Sequence, residues 1–138
     1  MTTVQDVMTR NPVCLDHDTN VIEAAHHMER KNIGDILVMR GGQVAGIVTD
    51  RDIVVRCLAR DLDPKECTVG QVMTDKLVSL SGDKDVDEAI QLMRERKIRR
   101  VPVMDNGRAI GIVSLGDLAQ TRDPRSVLGE ISHAPPNN

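Results

Sequence analysis

Apolar and polar positions follow one another along this chain in an order that is written twice. A brief apolar run at 13–15, and another at 78–80, leads to a polar break at Asp18 or Asp83. Apolar residues then recur at helical intervals: Val21, Ala24, Ala25 and Met28 in one stretch, Val86, Ala89, Ile90 and Met93 in the other. Asn20 with Glu23, and Asp85 with Glu88, have the spacing of a capping box, so each stretch predicts a helix with one buried face. Two strands should follow, 36–39 and 44–48 joined through Gly41-Gly42, then 101–104 and 109–113 joined through Asn106-Gly107, each pair forming a hairpin. The chain returns to helix near Asp50 and Leu115, and Thr3 and Thr68 stand where a short opening turn would be capped. Beyond Arg122 the sequence ends in Ala-Pro-Pro-Asn-Asn and reads as a frayed tail.

The two stretches superpose at a shift of about 65 residues. Val7-Met8-Thr9 matches Val72-Met73-Thr74, Gly46-Ile47-Val48 matches Gly111-Ile112-Val113, and Asp52 matches Asp117. The reading is therefore a first copy over 1–64, a second over 65–122 and a tail over 123–138, all within one domain-sized chain of 138 residues.

Composition narrows the function. The net charge of −3 offers no electrostatic reason to bind nucleic acid or an acidic membrane surface. There is no Phe, Tyr or Trp, so a ligand ring would lie between aliphatic side chains. No apolar run has the length of a membrane span and the N-terminus lacks a signal pattern, which places the chain in the cytoplasm. The three cysteines, Cys14, Cys57 and Cys67, have neither disulfide-framework nor metal spacing and read as small buried hydrophobes. His17, His26, His27 and His133 form no ligand set, and no nucleophilic triad or Walker sequence occurs, so neither a metal nor catalysis is expected.

One motif carries candidate chemistry. Thr49-Asp50-Arg51-Asp52 and Ser114-Leu115-Gly116-Asp117 each put a hydroxyl at a strand end and a carboxylate three residues later, in the first turn of a helix. A carboxylate there can accept both hydrogens of a ribose diol; equally, the pair can do no more than cap the helix. Gly46 and Gly111 leave room for a ligand's close approach, or mark strand irregularities. Before the hairpin the copies differ: Ile98-Arg99-Arg100 in the second faces Ile33-Gly34-Asp35 in the first. Paired guanidinium groups clamp phosphate oxygens and a carboxylate repels them, so the second copy favours phosphate.

The V-M-T opening, the capped E-A helix and the hairpin ending in G-I-V-[TS]-x-x-D, repeated across nearly the whole chain, closely resemble the tandem cystathionine-β-synthase (CBS) domain pair, or Bateman module. The resemblance implies an α/β fold of the α+β type, two β-α-β-β-α repeats packed with pseudo-two-fold symmetry, and a clefted pair that binds AMP, ADP, ATP, NAD or S-adenosylmethionine. It implies a regulatory, non-enzymatic module, a homodimer, and an unidentified regulated protein as further partner. By the same analogy the phosphate-favouring site comprises Arg99, Arg100, Ser114 and Asp117 with Thr9, Pro12, Val13 and Leu37. The second site comprises Thr49, Arg51 and Asp52 with Thr74, Leu77, Val78 and Pro102. Arg51 would partly offset the missing arginines there. The competing readings are a ligand-free interaction scaffold and a redox sensor at Cys14.

Overall fold

A computed structural model describes residues 2–122, and the expected tail lies outside them. The described chain forms two compact units with separate cores, one built from 13–77 and the other from 2–12 together with 78–122. The units thus cut across the sequence repeats, because each copy's opening segment joins the other copy's hairpin.

In the unit of 13–77, β2 (Cys14–Asp16) runs parallel to β3 (Asp35–Arg40), which pairs antiparallel with β4 (Gln43–Thr49). Between them lies α2 (Val21–Lys31), whose Val21, Ala24 and Met28 are buried against Ile36, Val38 and Val48. Then come α3 (Asp50–Arg56), a 3₁₀ turn at Leu58–Arg60 and α4 (Val69–Val72). Thr74 bridges Ile47 through a reciprocal pair of backbone bonds at 3.0 and 2.9 Å.

The other unit repeats the arrangement. Its opening elements are α1 (Val4–Val7) and β1 (Thr9–Arg10), and β1 pairs with β7 (Arg108–Ser114), Thr9 facing Ile112 as Thr74 faces Ile47. The sheet continues through β6 (Arg100–Asp105) to the short β5 (Leu80–Ser81), with α5 (Val86–Arg96) and α6 (Leu115–Arg122) packed on it. Val4, Val86, Ala89, Met93 and Leu118 meet Val101, Val103 and Val113 in its core.

The hairpin strands are those the alternation predicts, each one residue longer at either end. Their turns need a left-handed backbone at two successive positions, which Gly41 (φ 59°) and Gly42 (79°), and Asn106 (51°) and Gly107 (79°), supply. The opening strands differ from expectation: β2 runs over 14–16 where 13–15 was expected, and β5 keeps only residue 80 of the expected 78–80 and adds residue 81.

Asn20 and Asp85 do cap α2 and α5, but not as the reciprocal box their spacing suggests. Asn20 Oδ1 accepts from the Ile22 amide at 2.7 Å and Asp85 accepts from Asp87. The Asn20 amide also donates to the carbonyls of Pro64 and Lys65, both at 2.8 Å, tying the helix start to the inter-copy connection. Asn20→Ala removes the cap and both ties, and thermal melts should show a loss of about 1–2 kcal/mol.

Candidate functional site

Both hydroxyl–carboxylate pairs sit where a hairpin strand hands over to a helix, and both close as capping boxes. Asp52 Oδ2 accepts from the Thr49 amide at 2.9 Å while Thr49 Oγ1 accepts from the Asp52 amide at 3.1 Å. Ser114 and Asp117 repeat this at the same two distances. The helix-capping role is therefore realised in both copies. It uses one carboxylate oxygen and leaves Oδ1 to distinguish them.

In the first copy Asp52 Oδ1 stands 4.0 Å from Arg56 Nε, one helical turn on. The guanidinium is held in place from the other side, because Nη1 donates to the carbonyls of Val72 (3.2 Å) and Met73 (2.9 Å). In the second copy Thr121 takes the place of Arg56 and turns its hydroxyl to the Asp117 carbonyl at 3.1 Å. Asp117 Oδ1 has no partner among the described residues. Burial pushes the Asp117 carboxyl above its ordinary pKa, outweighing the bonds from Ser114 that pull it down. Arg51, expected to offset the missing arginines toward a phosphate, is exposed at the start of α3. The side chain that meets Asp52 is Arg56, and its i, i+4 spacing from Asp52 was the available signal.

The environments of the two boxes differ in sign. Arg100 lies across the ladder from Ser114, and the Arg99 carbonyl receives the Leu115 amide at 2.8 Å, so two exposed arginines flank the start of α6. At the matching positions Asp35 lies across from Thr49 and the Gly34 carbonyl receives the Asp50 amide at 3.1 Å. The first copy thus gathers Asp35, Asp50 and Asp52, whereas the second gathers Arg99, Arg100 and Asp117.

The apolar candidates divide between the units. Thr9 and Pro12 belong with the Ser114–Asp117 box, Val13 and Leu37 with the Thr49–Asp52 box. Thr74 and Leu77 belong with Thr49, Arg51 and Asp52, and Val78 and Pro102 with the other unit. Val13 packs against its unit's core and its carbonyl receives the Leu37 amide at 2.9 Å. Leu37 is fully buried, on the face of β3 opposite Ile36 and Val38, and Pro102 has the same relation to Val101 and Val103 on β6.

Gly46 and Gly111 do allow a close approach, but it is the chain's own. A Cβ at Gly111 would stand 2.5 Å from Met8 Sδ and 2.7 Å from the Thr9 carbonyl, and Gly46 has the same relation to Met73 and Thr74. Cys57 and Cys67 are buried as expected, with burial and the neighbouring Cys57 thiol pushing Cys67 up to about 11. Cys14 is not a core residue: it lies at the outward-facing start of β2 and is exposed. Its surroundings nonetheless raise its thiol pKa, which lowers the thiolate fraction a redox sensor would need. Among the described residues no cluster of His, Cys, Asp or Glu could hold a metal ion, and no helix is long and apolar enough to cross a membrane.

Comparison with known proteins matches this architecture. The CBS domain family model covers residues 4–58 and again 69–122. The CBS domain-containing protein YhcV of Bacillus subtilis (strain 168) is 37% identical over 137 residues, covering 96% of this chain and 97% of its own. A putative signal-transduction protein with CBS domains from Burkholderia ambifaria MC40-6 superposes with a TM-score of 0.81 at 31% identity, over 91% of this chain and 96% of that one. The CBS domain pair of protein MJ0100, solved in complex with 5′-methylthioadenosine and S-adenosyl-L-methionine, gives a TM-score of 0.79 at 27% identity, over 91% of this chain and 98% of that one.

Proposed function

We propose, because this chain belongs to the CBS domain family and keeps an open carboxylate oxygen at Asp117, that it is a non-catalytic regulatory module whose second copy binds an adenosine-containing ligand. AMP, ADP, ATP, NAD and S-adenosylmethionine are the candidates, and the MJ0100 complex supports the adenosyl class. The single observation that carries the reading is the geometry around Asp117. Oδ2 is fixed by the capping box, which orients the carboxylate, and Oδ1 remains to accept from a ribose diol. Arg99 and Arg100 supply the positive charge a phosphate needs, and Thr9 and Pro12 belong to the same unit.

Ligand occupancy would act by favouring one arrangement of the protein over another, to the extent that its affinity for the two differs. A homodimer is the assembly in which such a bias would be read by an unidentified regulated protein. Exposed Val54, Val55, Leu58 and Leu62, on α3 and the segment after it, support self-association.

Isothermal titration and thermal melts with AMP, ADP, ATP, NAD and S-adenosylmethionine test the reading. At least one should give saturable heat and raise the melting temperature. Absence of both effects for all five at millimolar concentration would leave the scaffold reading in its place.

A further inference from the structure

We infer that Arg56 is a built-in occupant of the first copy's ribose hook, so that an arginine in one copy and a threonine in the other restrict this duplicated fold to one available diol site. The inference rests on the ligand reading above and deepens it, because it names the residue that decides how many sites the chain has.

Both hooks are equivalent in the bonds that shape them: hydroxyl, amide and Oδ2 are engaged at matching distances in the two copies. A diol must therefore be received by Oδ1, and only there do the copies part. At Asp52 that oxygen faces Arg56 Nε at 4.0 Å. The contact is long, and by itself it would be weak for a partly exposed pair. What gives it weight is that the guanidinium does not have to be ordered for the purpose. The Val72 and Met73 carbonyls already hold Nη1 at the end of α4, so the cation stays beside Asp52 at little further entropic cost. A neutral diol arriving at Asp52 would have to displace a fixed charge and would replace it with uncharged donors.

Among the described residues the second copy has no such group beside Asp117. Thr121 occupies the position of Arg56, is too short to reach around the helix turn, and spends its hydroxyl on the Asp117 carbonyl. No charged neighbour contributes to the Asp117 shift, which has burial as its leading cause. The asymmetry at the diol is thus separate from the asymmetry at the phosphate set by Arg99 and Arg100. It persists for a ligand with no phosphate at all.

That separation defines the test. Adenosine is the probe, since it carries the diol without the charge that Asp35 and Asp50 would repel. Equilibrium dialysis of radiolabelled adenosine against the full chain should find one site per chain. Arg56→Thr should raise this to two. Thr121→Arg, which leaves the α4 ties intact and so guards against a folding artefact in the first variant, should weaken the single wild-type site by about tenfold or more. If the wild type binds adenosine while Arg56→Thr stays at one site and Thr121→Arg binds as wild type, the inference fails and the ligand reading stands. Two sites in the wild type also overturn it. If the wild type binds neither adenosine nor AMP, the ligand reading fails and this inference falls with it.

Discussion

Asp117→Ala is expected to weaken AMP binding by about 10- to 100-fold, the loss that follows when a charge-assisted hydrogen bond worth roughly 1.5–3 kcal/mol is removed. Alanine also deletes the acceptor of the Ser114 amide, so part of any loss could come from a loosened start of α6. Asp117→Asn separates the two effects. An amide oxygen can still close the capping box, but it cannot offer the diol a negative charge, so the asparagine variant should melt close to wild type and bind nearly as poorly as alanine. The pH dependence gives an independent sign. Burial raises the Asp117 pKa above the ordinary 3.8, so between that value and the raised one the folded protein holds a proton that the unfolded chain releases. This group's contribution to stability is therefore greatest at low pH and is lost as pH rises through the window. Ligand binding runs the opposite way, since the diol needs the ionised form: affinity should fall as pH drops through the raised pKa. Asp117→Asn should abolish both dependences, which titration and melts across the window would measure.

The second large effect is on the fold. Gly111→Ala puts a methyl group 2.5 Å from Met8 Sδ and 2.7 Å from the Thr9 carbonyl. The methionine can swing aside, but the carbonyl belongs to a backbone paired across β1 and β7, where Thr9 faces Ile112. The cost should be roughly 1–3 kcal/mol, and thermal melts should show it as a fall of several degrees. Gly46→Ala should behave likewise against Met73 and Thr74. Gly34→Ala is the control: the nearest atoms to its Cβ are those of the Asp50 carboxylate, from 3.4 Å outward, so its melt should move far less. Equal destabilisation at all three glycines would contradict this account of why the hairpins carry them.

These glycines mark the boundary of what could be read from the chain. The repeat, the hairpin turns and the helix faces were legible because each is a local consequence of backbone sterics or of periodicity: Gly41-Gly42 and Asn106-Gly107 permit the left-handed turn, and Val21, Ala24 and Met28 recur along one stripe. Which hairpin each opening segment joins came from the family resemblance and was not legible in the pattern of the chain itself. Thr9 and Thr74 are the same residue in the same local setting, and the pairing each makes is too short for alternation to declare its partner. The capping-box spacing at Asn20 and Asp85 misled because each side chain caps the amide two residues on, at Ile22 and Asp87, and not the one three residues on.

At the candidate site the residue types were legible and their bonding was not. Thr49, Asp52, Ser114 and Asp117 were identifiable by spacing, yet the same spacing serves a capping box and a ribose hook; the structure uses it for the first in both copies and leaves a carboxylate oxygen without a partner among the described residues only at Asp117. Leu37 and Pro102 show another limit. An apolar residue in a strand is assigned to core or pocket only once the face it occupies is known.

The fold is duplicated, whereas the phosphate-binding chemistry proposed for it belongs to the second copy alone. The ratio of AMP to adenosine affinity, measured by isothermal titration on the wild type and on the Arg99→Ala/Arg100→Ala double variant, tests it most directly. The wild type should clearly prefer AMP, and in the variant that preference should collapse towards parity while adenosine affinity holds. A preference for AMP that survives loss of both arginines would contradict it.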